Sequence, residues 1–315
     1  MKFGYFDDQN KEYVITTPQT PLPWINYLGS EDFFSLVSNT AGGYSFYRDA
    51  RMRRLTRYRY NNSPLDMDGH RIYIKDGETV WNPGWQPTKT PLDSYSCRHG
   101  LGYTVVEGKK DGVTARQELF VPKGDACELD RLTLTNRSDR PRELDVFGYV
   151  EFCLWDAVDD STNFQRNFST GEVEVEPGVI YHKTEYRERR DHYAMFWSNT
   201  PVTSFDTTRD AFCGVYGGPA DPQAVRAGHC SGSIAHGWAP VGALHIHVTL
   251  APGEEKKILF GLGYIENPQD EKFSASGVIN KTRAHAMMAR YATDAQVDAA
   301  RAALAQHWET LLSPY

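Results

Sequence analysis

Val113–Trp155 reads VTARQELFVPKGDACELDRLTLTNRSDRPRELDVFGYVEFCLW. Three runs, 113–122, 128–138 and 142–155, are rich in Val, Leu, Thr and aromatic residues, and Pro, Gly, Asp and Ser separate them. That combination predicts three consecutive β-strands. The middle run places Leu129, Leu132 and Leu134 among polar neighbours, with a slip in the alternation near Arg131. The same pattern extends in both directions. KFGYFDD and EYVITTP predict a hairpin across DDQNK, and RIYIKDGETVWNPG predicts another across Asp76-Gly77. MRRLTRYRY (52–60) reads as a strand followed by the turn NNSPLDMDG, and HIHVTLAPGEEKKILFGLGYIE as strand, Pro-Gly turn and strand. Strands recurring roughly every 10 to 20 residues between such turns indicate a mainly β chain folded as a large antiparallel β-sandwich.

The character changes near Asn267. KFSASGVINKTRAHAMMARYAT and DAQVDAARAALAQHWETLLS have neither Gly nor Pro between Gly277 and Pro314, and predict two helices. In the second, Val297, Ala300, Leu304, Trp308 and Leu311 recur at spacings of three and four, which is one face of an amphipathic helix. Thr293-Asp294 fits its N-cap. The expected organisation is a β-sandwich domain over 1–268 and an α-helical linker over 269–315, ending where a further domain could start.

Composition narrows the function. The 315 residues carry a formal net charge of −7, which argues against nucleic acid and anionic membranes as partners, because both select basic faces. Five cysteines without a CxxC pair read as a reduced, intracellular thiol set. MKFGYFDDQNKEYVI has no apolar core of a secretory signal, and no window approaches the roughly 18 apolar residues of a membrane span. The expected compartment is the cytoplasm.

The chemistry-bearing clusters are diffuse. Arg48, Arg51, Arg53, Arg54, Arg57 and Arg59 lie close together. No Gly-rich phosphate loop accompanies them, so they read as arginines paired with acids or stacked on Tyr58 and Tyr60, ahead of an anion surface. His245 and His247 share a strand face, but the sequence offers no third ligand or neighbouring carboxylate, so they read as structural. Asp156, Asp159 and Asp160 lack the EF-hand spacing. YHKTEYRERRDHYAMFW (181–197) reads as a solvated edge strand or loop, with a docking surface as the alternative. No nucleophile elbow, P-loop or HExxH is present.

One connection is too long for a hairpin. WDAVDDSTNFQRNFS (155–169) joins two predicted strands and carries three acids, two Asn, a Gln, an Arg and two Phe. Its amides could pair with sugar hydroxyls, or simply with the loop's own backbone.

Five strings carry a family resemblance: MKFGYFDDQNKEYVITTPQTPLPWINYLG, SNTAGGYSFYRDARMRRLTRYRYNN, YSCRHGLGYT, TNFQRNFSTGEVEVEPGVIYHKTEYRERRDHY and GWAPV. Through them the chain resembles the N-terminal portion of the inverting glycoside phosphorylases, the family that holds cellobiose, cellodextrin and chitobiose phosphorylases, and within it the members acting on cellobiose. The resemblance implies a galactose-mutarotase-like supersandwich, a helical linker and, beyond residue 315, an (α/α)6 barrel holding the general acid and most of the phosphate site. It implies reversible phosphorolysis of cellobiose to α-glucose 1-phosphate and glucose with inversion, phosphate being a co-substrate and no metal or organic cofactor taking part, and no activity for this segment alone. It also implies a homodimer in which a sandwich loop reaches the partner's acceptor-sugar subsite. On that basis Asn163 and Gln165 are expected sugar contacts, and Arg166 and Asp156 orienting groups. Two other readings stay open: a non-catalytic carbohydrate-binding module, and a mutarotase-like enzyme needing a Glu/His pair in the sandwich cleft.

Overall fold

The computed structural model describes residues 2–29, 31–58, 64–162, 171–184, 190–237 and 239–313. Two antiparallel sheets face each other. The larger runs, in spatial order, Gly4–Asp7, Glu12–Ile15, Ser94–Gly100, Tyr103–Lys110, Val113–Phe120, Cys127–Asn136, Glu255–Glu266, His192–Ser198, Val179–Thr184, Gly171–Glu176 and His236–Gly237. The other runs Ser204–Thr208, Pro240–Leu250, Arg142–Trp155, Arg54–Thr56, Gly43–Tyr47, Phe33–Ser38 and Ile25–Leu28. The expected fold class holds.

Arg142–Trp155 organises the second sheet. Pro240–Leu250 pairs with it along one edge, while the other edge is shared by His70–Asp76 and, nearer its end, Arg54–Thr56. Its apolar run is nearly continuous because both faces are covered. Leu144, Val146, Val150 and Phe152 enter the core between the sheets. Phe147 and Tyr149 pack beneath two short helices, α2 (Arg209–Cys213) and α3 (Gln223–Ala227). (Another five-residue helix, α1 (Ala157–Ser161), precedes them.) Gly148 is where the facing sheet comes close: a Cβ there would stand 2.5 Å from the Phe260 ring.

The slip at Arg131 has the same cause. Cys127–Asn136 sends Leu132 and Leu134 inward and Cys127 and Leu129 toward a second core under two C-terminal helices, α4 (Thr282–Ala289) and α5 (Asp294–Leu312). Arg131, on the helix side, pairs with Asp298 of α5 and, at 2.6 Å, with Glu118. Val297 and Leu304 of α5 are buried, Ala300 and Trp308 pack against them, and Leu311 is half exposed. Thr293 closes a capping box with Gln296, as the N-cap reading requires.

Three expectations need correction. Residues 272–281 do not begin a helix: Phe273–Ala275 and Val278–Ile279 form a small hairpin around Ser276-Gly277, with Gly277 at φ 72°. The strand expected over 52–60 is confined, among the described residues, to Arg54–Thr56. Val179–Thr184 and His192–Ser198 are interior strands, not an edge, because each pairs on both sides. All five cysteines are buried and unpaired. No helix among the described residues is long and apolar enough to cross a membrane.

Candidate functional site

The long connection leaves the sandwich at the end of Arg142–Trp155. The ladder to Arg54–Thr56 slips between Phe152 and Trp155, and Trp155 takes φ 71°, a region that residues with side chains seldom occupy. This turns the chain out of the sheet. Asp156, extended at φ −82°, then caps a five-residue helix, α1 (Ala157–Ser161). Its Oδ1 accepts from the amides of Val158 at 2.9 Å and Asp159 at 3.0 Å, and its Oδ2 stands 3.6 Å from Arg51. The Ala157 amide donates to the Arg51 carbonyl at 2.8 Å.

The one buried residue of α1 is the charged Asp160. Arg57 meets it with two parallel bonds, Nε to Oδ2 at 2.7 Å and Nη2 to Oδ1 at 2.6 Å. The third arm, Nη1, donates to Glu151 Oε1 at 2.7 Å, and Arg209 stands 3.6 Å from the same oxygen. Burial works against the Arg57 charge, but Glu151 and Asp160 hold its pKa above the ordinary guanidinium range. Further out, Arg48 pairs with Asp32 at 2.9 Å, Arg53 with Glu266 at 2.8 Å, and Arg54 lies 3.7 Å over the Tyr44 ring. The described arginines of the basic cluster are therefore paired or stacked.

Beneath the helix lies an aromatic floor. The His182 ring is parallel to Phe152 at 4.8 Å and to Trp155 at 6.0 Å. Trp155 meets His192 edge-on at 4.6 Å, and Tyr264 stacks on Tyr47 at 4.1 Å. Burial pushes His182 down to about 3 and His192 down to about 4. Both His182 nitrogens, His192 Nε2 and Trp155 Nε1 find no hydrogen-bond partner among the described residues. His192 Nδ1 lies 3.0 Å from Asp191. Residues 57 and 69 bond the backbone of Glu151, and Gly171 pairs with Thr184.

Of the expected site residues, Asp156 is the helix cap. Asn163, Gln165 and Arg166 lie outside the described residues. His245 and His247 do have carboxylate neighbours, contrary to the sequence reading. Asp145, paired across the ladder with His247, lies 3.0 Å from His245 and 2.9 Å from His247, and Glu143 lies 2.8 Å from His247. Ser204 meets the remaining His245 nitrogen at 2.9 Å, so these histidines are satisfied by side chains. No cluster of three or more His, Cys, Asp or Glu suited to a metal occurs among the described residues. A Glu/His pair exists, with Glu128 3.3 Å from His70, but both are buried, Glu128 also accepts from Ser35 and Ser45, and none of the cavities described below reaches them.

A groove of about 840 Å³ opens at the far end of the His192–Ser198 strand, lined by Val175, Pro201, Val202, Phe205, Ile234 and Leu244. Smaller cavities of about 190 and 170 Å³ lie beside Asp32 and Tyr47 and beside Arg209 and His236. The sequence reading missed the Arg57–Asp160–Glu151 group. A local signal was available in Asp156 followed by acids three and four residues on, a helix-start pattern.

Residues 11–294 match the family model described as "Glycosyl hydrolase 94, supersandwich domain". The chain belongs to the glycosyl hydrolase 94 family. Several of the proteins it resembles are phosphorylases. An N,N'-diacetylchitobiose phosphorylase of Vibrio furnissii is 38% identical over 98% of this chain, and a solabiose phosphorylase of Paenibacillus borealis 36% over 80%. The chain spans 37% and 33% of their lengths, about a third. Among solved structures, a human-microbiome protein described as a kojibiose phosphorylase superposes with a TM-score of 0.53 at 10% identity, covering 98% of this chain and 38% of that one. At that identity the likeness concerns the fold.

Proposed function

We propose that this chain is the N-terminal sandwich and linker of a cytoplasmic, homodimeric inverting phosphorylase that converts cellobiose and phosphate reversibly to α-glucose 1-phosphate and glucose. The observation that carries the phosphorylase reading is the 38% identity, over 98% of this chain, with an N,N'-diacetylchitobiose phosphorylase. A carboxylic acid in the remainder of the enzyme protonates the glycosidic oxygen while phosphate attacks the anomeric carbon from the opposite face. Phosphate takes the place of water, so no second carboxylate base is required.

This segment supports the dimer and sends the connection after Trp155 into the partner's acceptor subsite. There Asn163 and Gln165 bond the acceptor's hydroxyls, Arg166 orients them, and Asp156 fixes the start of the connection. Cellobiose is favoured by the resemblance of the strings themselves, whereas the first-named relative acts on N,N'-diacetylchitobiose. The test is synthesis by the full-length enzyme from α-glucose 1-phosphate with glucose or N-acetylglucosamine as acceptor. Glucose is expected to be used and N-acetylglucosamine refused. The reverse preference sinks the cellobiose assignment, and phosphate release from neither sinks the phosphorylase reading.

A further inference from the structure

The strand Gly4–Asp7 forms one edge of the larger sheet. Glu12–Ile15 pairs with it on one side, and no strand among the described residues pairs with it on the other. The Thr16 amide donates to the Phe3 carbonyl at 2.9 Å. By the alternation of an antiparallel ladder, the backbone groups of Tyr5 and Asp7 then turn toward Glu12–Ile15, and those of Gly4 and Phe6 turn outward. Native sheets commonly blunt such an edge with charge, proline or a covering loop. The middle of this one instead carries Tyr5 and Phe6, 44% and 77% exposed. Phe6 lies on the face whose Ile15 enters the core between the sheets, and its ring meets Tyr13 edge-on at 4.8 Å.

Charge is confined to the two ends. KFGYFDD (2–8) opens on Lys2 and closes on Asp7 and Asp8, and Lys2 and Asp8 are exposed. Two parallel copies of this segment would set like charges side by side, whereas two antiparallel copies set opposite charges together. New ladder bonds must form between the outward-facing residues. With Gly4 opposite Phe6 of a second copy, two such pairs form at once. That register also sets Lys2 opposite Asp8, leaves Tyr5 opposite Tyr5 on the two-fold axis, and gives Phe6 a neighbour without a side chain. A shift of two residues either way sets Gly4 against Gly4 or Phe6 against Phe6, and parts Lys2 from Asp8.

We propose that Gly4–Asp7 pairs antiparallel with the same strand of a second copy, joining the two larger sheets edge to edge about a two-fold axis at Tyr5. The contact is isologous, so it closes as a dimer. It rests on the homodimer proposed above and names the surface that makes it.

The test uses the full-length enzyme. Tyr5→Cys sets two thiols directly opposite in a non-hydrogen-bonded pair, with Cβ atoms about 4.5–5.5 Å apart, close to disulfide geometry. Mild oxidation is expected to turn most of this variant into a covalent dimer on a non-reducing gel. Tyr27→Cys, at a site 68% exposed on the edge strand of the other sheet, is expected to stay uncross-linked. The five native cysteines are buried and unpaired, so they do not compete. Phe6→Glu is expected to keep the far-UV circular dichroism of wild type and to raise the dimer dissociation constant roughly tenfold or more in sedimentation equilibrium. A dimeric wild type whose Tyr5→Cys variant cross-links no better than Tyr27→Cys overturns the edge pairing and leaves the homodimer standing. An unaltered dissociation constant in Phe6→Glu does the same. A wild type that stays monomeric at every concentration overturns both.

Discussion

His182→Phe separates a titration effect from a packing effect at the floor beneath α1. Burial holds His182 down to about 3, whereas in the unfolded chain it titrates near 6.5. The unfolded state therefore takes up a proton as the pH falls through about 6.5, and the folded state does not follow until about 3. Stability is full above the unfolded value and is lost on acidification across that window. Between about pH 7.5 and about pH 5 the loss from this one group is about 2 kcal/mol, or a factor of ~30 in the folding equilibrium. Phe keeps an aromatic ring beside Phe152 and Trp155 and removes two nitrogens that have no partner among the described residues, a gain of about 1–3 kcal/mol, against about 1–3 kcal/mol of overpacking. Both packing effects are independent of pH. Urea unfolding of wild type and variant at the two pH values isolates the titration, with the variant gaining about 2 kcal/mol on wild type as the pH falls. His99 and His192, each held down to about 4, add their own loss of stability on acidification to wild type and variant alike, so they drop out of the difference. An identical loss in wild type and variant would refute the reasoning, because it would mean that His182 is protonated in the fold or titrates alike in both states.

Asp156→Ala is expected to destabilise the chain by about 1 kcal/mol in the same unfolding assay, with Asp156→Asn recovering most of that, since either side chain can accept from the amides of Val158 and Asp159. In the full-length enzyme Gln165→Ala is expected to raise the acceptor KM by roughly three- to tenfold, the scale of one neutral hydrogen bond worth about 0.5–1.5 kcal/mol, and unchanged kinetics in both directions would remove Gln165 from the acceptor subsite.

The sandwich is legible because strands repeat every two residues and their turns announce themselves in Gly, Pro, Asn and Asp. The DDQNK and Asp76-Gly77 turns both close hairpins in the predicted places. Legibility fails where a strand is buried twice. Arg131 breaks a one-sided alternation because its face is covered by α5, whose packing no local window contains. It fails again where partners come from elsewhere in the chain. Asp160 and Arg57 are 103 residues apart and His245 and Asp145 are 100 apart, so the sequence alone showed charged residues without their mates. The hairpin at 273–279 is different: its Ser-Gly signal was present in the sequence and was outweighed by the helical stretch that follows.

The burial of Arg57 has a consequence for ionic strength. Mobile ions screen charges across water, over about 8–10 Å at near-physiological salt, and act far less on pairs from which water is excluded. Arg51, 60% exposed and 3.6 Å from Asp156, lies within reach of that screening. Arg57 and Asp160, with side chains 4% and 3% exposed, do not. Rising salt thus loosens the outer rim of the connection while its root keeps its grip on Glu151.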